Sequence, residues 1–314
     1  MENTNKKDTK KPSKIARILS RERSKIWFML AFVVPAVAVY VYACVSPIFQ
    51  SIYSSFFKWS GFSSMRYIGW DNYAKILKDA VFFKAIKNDI IYVLGKEILI
   101  VPLALLFALS MTRLRFKKAE TTAYRFLLYL PNVLSVSIIG IVWAFILDPY
   151  NGILNGLLKM IGLESLIPAN GWLVEYTMPS IIFVASWCGI GYFMIILISA
   201  INSVSAELYE AADIDGAGQW QQLWSITIPA IWEKLRFVIT NIVIGTLGNY
   251  SLAMLLANGG VNGSGMVMGL YVYQHGIDSN APQVGYANAA AVLLMIISST
   301  IILVINKVMN KEAD

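Results

Sequence analysis

The chain has 314 residues, of which 57% are hydrophobic and only 14% charged, and its mean hydropathy is +0.60. Soluble domains carry about a quarter charged residues, so a soluble globular protein is excluded. The net charge is +7, but nine of the 26 Lys and Arg precede residue 26, which reads as a basic tail that sets topology and not as a nucleic-acid surface.

The apolar residues gather into runs of about twenty, the length that crosses a bilayer as a helix. The pattern predicts an all-α membrane protein with six transmembrane helices over 26–48, 89–111, 124–147, 178–201, 237–257 and 284–305. They divide the chain into a basic tail (1–25), a membrane domain (26–308) and a short tail (309–314). The run after the basic tail lacks a small-residue cleavage site and reads as a retained first span. Cys44 and Cys188 fall inside apolar segments, where small buried packing is expected.

Residues 49–88 alternate aromatics with lysines such as Lys58, Lys75 and Lys84, as an interfacial segment does. The second span carries Lys96 and Glu97. Their place about two turns from its outer end predicts snorkelling, and adjacent helical positions do not pair. A basic loop follows, with Arg113, Arg115, Lys117, Lys118 and Arg125. The third span ends at the turn signals Asp148-Pro149-Tyr150-Asn151-Gly152. A Gly-rich loop holding His275 precedes the sixth. Six spans put both termini on one side, and Lys and Arg number 18 on that side against seven on the other. The termini and the loop at 202–236 are therefore predicted to be cytoplasmic.

That loop is a polar island between the fourth and fifth spans. It reads as a short helix bearing Glu207, Glu210, Asp213 and Asp215, ended at Gly216 by a left-handed cap. A second helix follows, whose Trp220, Leu223 and Trp224 form a face expected to rest on the membrane-embedded body. Ala211 and Ala212 keep the surface low while the carboxylates offer directional hydrogen bonds, which suits a docking knob.

The spacing Glu210-Ala211-Ala212, Gly216, then Ile226 and Ile228-Pro229, resembles the EAA loop of permease subunits of ABC importers; Ile228 stands where Leu is usual. The Trp70-Asp71-Asn72-Tyr73 segment and the run from Pro131 through Trp143 to Asp148-Pro149 and Asn155 are similar to the carbohydrate (maltose-type, multiple-sugar) branch. The resemblance implies a type I importer permease in the cytoplasmic membrane of a bacterium, with a second permease subunit, two cytoplasmic ATPases and an extracytoplasmic solute-binding protein as partners alongside membrane lipid. It assigns coupling to the ATPase to Glu210, Ala211, Ala212, Asp213, Gly216, Ile226 and Pro229.

No Walker A pattern occurs, and there is neither a His/Cys cluster at metal spacing nor a Gly-x-Ser-x-Gly or His-Glu-x-x-His constellation. The chain is thus expected to be no enzyme and to need no metal or cofactor. Candidates for the substrate path are Trp187, Gly189, Gly191 and Tyr192 in the fourth span and Asn241, Gly245, Thr246, Gly248, Asn249 and Tyr250 in the fifth, since a polyol needs amides, hydroxyls and aromatic faces. In the family the sugar is held mid-span, and distance from Glu210 points to Gly189, Tyr192, Thr246 and Asn249. The absence of Lys or Arg from the middle of spans four to six favours an uncharged solute, probed against two alternatives: a glycerol phosphate diester importer, and a stand-alone secondary transporter using Lys96, Glu97 and Asp148 as a relay.

Overall fold

The computed structural model describes residues 14–113, 117–278 and 280–310. Residues 1–13 of the basic tail, Arg115 and the tail from residue 311 lie outside them. The chain divides into two units, 1–53 and 54–314.

The described residues of the first unit form one continuous helical run. It comprises α1 (Lys14–Tyr40, containing Pro35), a π-helical turn at Val41–Val45 and α2 (Ser46–Ser54), whose last residue opens the second unit. Its apolar stretch is long enough to cross a membrane. Cys44 is exposed on it, contrary to the buried packing expected of it.

The second unit opens with a hairpin, β1 (Phe57–Lys58) and β2 (Arg66–Tyr67), pairing Phe57 with Tyr67. Buried Asn72, in α3 (Asp71–Ile76), donates to the carbonyls of Ser55 and Phe57 and closes the turn. The next helix, α4 (Ala80–Arg113), has 34 residues and begins nine residues before the predicted span. Hydropathy marks only its apolar part, because Lys84 and Lys87 end an apolar run without ending a helix. At 1.5 Å per residue it is about 51 Å long, more than the ~30 Å hydrocarbon layer. Lys84 Nζ donates to Asn262 O, and Asn88 Nδ2 donates to Gly263 O and Met266 O, so the first turns of α4 pin the Gly-rich loop.

The third predicted span is two helices, α5 (Lys118–Val133) and α6 (Val136–Ile146), bent by 97°. Leu134 is extended and Ser135 Oγ accepts from Ser137 N, which caps a new helix where continuation was expected. Then come α7 (Ile153–Met160), α8 (Trp172–Glu175) and α9 (Thr177–Asn202), with α10 (Ala206–Ile214), α11 (Gln219–Gln222) and α12 (Ile228–Ala230) forming the polar loop. The fifth span also breaks, into α13 (Trp232–Thr246) and α14 (Ser251–Ala257), bent by 54°. Here Gly248 takes φ +82° and Asn249 Oδ1 accepts from Ser251 N. After α15 (Met268–Gly276) the chain closes with α16 (Val284–Asn310). Among the described residues four helices are long and apolar enough to cross a membrane, or up to six if each bent pair is one span.

The core is built around α9. One end packs Ile181 and Val184 with Phe82, Leu270 and Tyr271; the other packs Met194, Leu197 and Ile201 with Ile100, Val238 and Ile242. Between apolar helices in lipid there is no water to expel, so close packing must hold the elements together, and small residues at the contacts permit it. Ala104 and Ala108, four apart on α4, are fully buried for that reason.

A polar latch ties three elements at the other end of α4. Asp79 Oδ2 accepts from Tyr271 OH at 2.6 Å and Tyr286 OH at 3.3 Å, and Oδ1 accepts from Val81 N at 2.8 Å. Burial raises the Asp79 pKa, but the bonds from Tyr271, Val81, Tyr286 and Phe82 together outweigh it and hold the carboxyl below its usual value. A depressed carboxylate contributes stability that is present above its unfolded value near 3.8 and lost as pH falls through the folded one. Asp79→Asn is therefore expected to destabilise the purified protein by about 1 kcal/mol at pH 7. It should also flatten the acid limb of a thermal-unfolding series between pH 7 and pH 3; equal acid slopes for variant and wild type would remove the latch from the account.

Candidate functional site

A cavity of about 310 Å³ lies where the two bent helix pairs break, within the size range of small-molecule sites. The α5–α6 break contributes Pro131, Asn132 and Leu134, and the α13–α14 break contributes Asn249. Gly189 and Tyr192 come from α9, Asn241 and Gly245 from α13, and Tyr92 and Lys96 from α4. Broken helices at membrane depth free backbone and side-chain polar groups, which persist only where they face a cavity or protein. Three amides, two tyrosines and one ammonium thus converge on one space.

Of the predicted path residues, Gly189, Tyr192, Asn241, Gly245 and Asn249 line this cavity. Thr246 is fully buried behind it: its Oγ1 donates to Ile242 O and accepts from Lys96 Nζ at 2.8 Å. Trp187 turns away and stacks edge-on against Trp143, while Tyr250 stacks on Tyr273 at 5.1 Å. Neither lines the cavity, because a 3.6-residue period turns residues one or two positions apart to different faces. A larger cavity of about 760 Å³ beside Trp143, Trp172 and Phe183 is walled almost wholly by apolar side chains and lacks the convergent polar groups a polyol requires.

Lys96 does not snorkel outward. It sits at the midpoint of α4, its Nζ donates to Thr246 Oγ1, and its ammonium lies 5.4 Å from the Tyr92 ring. The direction of the side chain is set by the inward bond to Thr246 and by the cavity it lines, which an apolar run by itself does not reveal. Neither carboxylate oxygen of Glu97 has a hydrogen-bond partner among the described residues. Asp148 accepts from the amides of Tyr150 and Asn151 in its own turn, so the three charges of the suggested relay are not joined by hydrogen bonds. Tyr92, Lys96 and Asn132 were missed as cavity residues. Only the presence of a charge in an apolar run signalled any of them.

The polar loop is built as a braced knob. Ser205 Oγ caps α10, and Gly216 at φ +77° ends it, with Ala217 N donating to Ala212 O across the cap. The Arg113 guanidinium at the end of α4 lies 3.3 Å from the centre of the Tyr209 ring, and Tyr209 OH bonds Thr227 Oγ1. Gln222 Nε2 donates to Asp213 Oδ1 at 2.6 Å and Ala217 O at 2.9 Å. The Asp213 carboxylate is therefore engaged inside the loop. Glu210, Ala211 and Pro229 are exposed, and Ala212 and Ile226 half-buried. The second helix differs from expectation: Trp220 is 72% exposed and Trp224 56%, stacked edge-on against each other, and the buried residues are Gln222 and Thr227. With Ile214 at 88%, they make the knob apolar as well as charged.

Comparison with known proteins identifies the family. Residues 100–313 match the family described as binding-protein-dependent transport system inner membrane component. The chain is 32% identical over 270 residues to the probable ABC transporter permease protein YurN of Bacillus subtilis, covering 85% of this chain and 90% of that one. It is 31% identical to the diacetylchitobiose uptake system permease protein NgcF of Streptomyces coelicolor, over 86% of this chain and 78% of its relative. To the multiple sugar-binding transport system permease protein MsmF of Streptococcus mutans it is 30% identical, over 87% and 92%. Its fold is similar to that of a chain in the crystal structure of a bacterial ABC transporter importing the acidic polysaccharide alginate, with a TM-score of 0.80 at 23% identity, over 94% of this chain and 99% of that chain.

Proposed function

The chain belongs to the family of binding-protein-dependent transport system inner membrane components, and from that premise we propose that it is one of two permease subunits of an ABC importer carrying an oligosaccharide across the bacterial cytoplasmic membrane. The observation that carries the sugar reading is the cavity at the helix breaks. Asn132, Asn241 and Asn249 supply amides for hydroxyl groups, and Tyr92 and Tyr192 supply rings for the C–H faces of a sugar. Relatives named for diacetylchitobiose, multiple sugars and arabinooligosaccharides support the same class.

Under this reading the membrane domain spans 26–308, both termini are cytoplasmic, and the knob at 202–236 docks on a cytoplasmic ATPase. The exposed Glu210, Ala211 and Pro229, with Ala212, Gly216 and Ile226, form its contact surface, while Asp213 shapes the loop from within. An extracytoplasmic binding protein delivers the sugar, a second permease completes the pathway, and two ATPases supply the energy. The chain itself hydrolyses nothing. Closure of the ATPases would move the knob, and the Arg113–Tyr209 contact passes that movement to α4, the helix that carries Lys96 into the cavity. A stand-alone secondary transporter is disfavoured, because its three candidate relay charges do not connect.

The test is affinity purification of the chain from its native membrane. A second permease and an ATPase are expected to come down with it. A chain that purifies alone and moves solute in vesicles without ATP would overturn the reading.

A further inference from the structure

Lys96 is the only charged side chain lining the cavity among the described residues. Its ammonium has three donors. Thr246 Oγ1 takes one, at 2.8 Å, and fixes the head group against the cavity wall. Thr246 is itself fully buried and donates onward to Ile242 O, so the cradle is part of the packed core and not an accident of a mobile side chain. Glu97 acts on the ammonium through space and does not clasp it: adjacent helical residues are turned about 100° apart, Glu97 does not line the cavity, and its oxygens have no hydrogen-bond partner among the described residues.

A charge at the middle of a membrane helix is costly, and it persists where it meets a partner or a substrate. A neutral polyol gives no reason for it, since amides and hydroxyls satisfy hydroxyl groups without the desolvation cost of an ammonium. A carboxylate supplies that reason, because it accepts charge-assisted hydrogen bonds from the two remaining donors in a low-dielectric space.

We infer that the cavity is selective for an acidic saccharide, with Lys96 holding a sugar carboxylate while the asparagines and tyrosines around it hold the ring. This rests on the sugar-importer reading and revises the expectation of an uncharged solute: the cation comes from the second span, not from those flanking the knob.

The experiment is direct saccharide binding to the detergent-solubilised complex that co-purifies with this chain, without ATP and without the binding protein. The probes are trisaccharides in matched pairs, each uronate beside its methyl ester, in the galacto, gluco and manno series. At least one uronate is expected to bind about tenfold or more tightly than its ester. Lys96→Gln should bring that ratio near one, and Lys96→Arg should keep it. Esters that bind as tightly as uronates overturn the inference and leave the sugar-importer reading standing. Binding of a glycerol phosphodiester with no uronate bound overturns the saccharide class. No saccharide binding by wild type, with its folded state verified by thermal unfolding, fails both readings.

Discussion

Glu210→Ala is expected to reduce uptake at least tenfold while leaving the fold intact. The carboxylate is exposed, and no described hydrogen bond of the loop depends on it. Surface substitutions of this kind shift stability by about 0.5 kcal/mol or less. The knob around it is rigid: Arg113 on Tyr209, Tyr209 on Thr227 and Gln222 on Asp213 fix α10 against the following helices and the end of α4. A knob braced in this way and presenting an exposed carboxylate loses nothing internal when that group is removed, whereas an ATPase docked as proposed would lose a charge-assisted hydrogen bond worth about 1.5–3 kcal/mol. Uptake of labelled substrate, thermal unfolding and co-purified ATPase are the measurements. Unchanged uptake with unchanged ATPase recovery would sink the coupling assignment. Asp213→Ala makes the informative contrast, because it removes the oxygen that accepts from Gln222; its effect should include a loss of loop stability that Glu210→Ala lacks.

The second large effect is expected at Gly191. A Cβ there would stand 2.1 Å from Leu128 O, 2.5 Å from Leu128 C and 2.7 Å from Tyr129 Cα, all backbone of α5. No side-chain rotation relieves such a clash, so α5 and α9 must separate. Overpacking costs typically about 1–3 kcal/mol, and an unyielding backbone places Gly191→Ala at the upper end. The displacement also reaches Pro131 and Asn132, one turn further along α5, where they line the cavity. Loss of both folded yield and saccharide binding is expected. Gly245→Ala separates the two effects: nothing lies within 4 Å of its added Cβ, yet Gly245 lines the cavity. It should leave thermal unfolding undiminished, since alanine suits a helix better than glycine, and weaken only binding. Equal unfolding temperatures for Gly191→Ala and wild type would refute the packing account.

Gly189 and Gly191 illustrate what a sequence leaves open. Both read as small residues interrupting the same span, suited to a ligand or to a neighbouring helix. Only the packing of α5 onto α9 assigns Gly191 to the helix contact and Gly189 to the cavity. Trp187 and Tyr250 carry the same lesson, for each has the right chemistry at the right depth and faces elsewhere.

What the sequence by itself determined is local or long-period. Membrane residence follows from apolar runs, because a lipid-spanning helix must be apolar over about twenty consecutive residues. The knob is legible because its run of carboxylates and the helix stop at Gly216 are signals acting within a few residues of themselves. The tertiary structure decided the rest. The breaks in the third and fifth spans arise from an ordinary cap at Ser135 and from a turn at Gly248 and Asn249, which acquire meaning only when the two bends meet around one cavity. The role of Lys96 depends on Thr246, 150 residues away. A contact between distant helices leaves no periodicity in either one, so the charge was visible in the sequence and the group it faces was not.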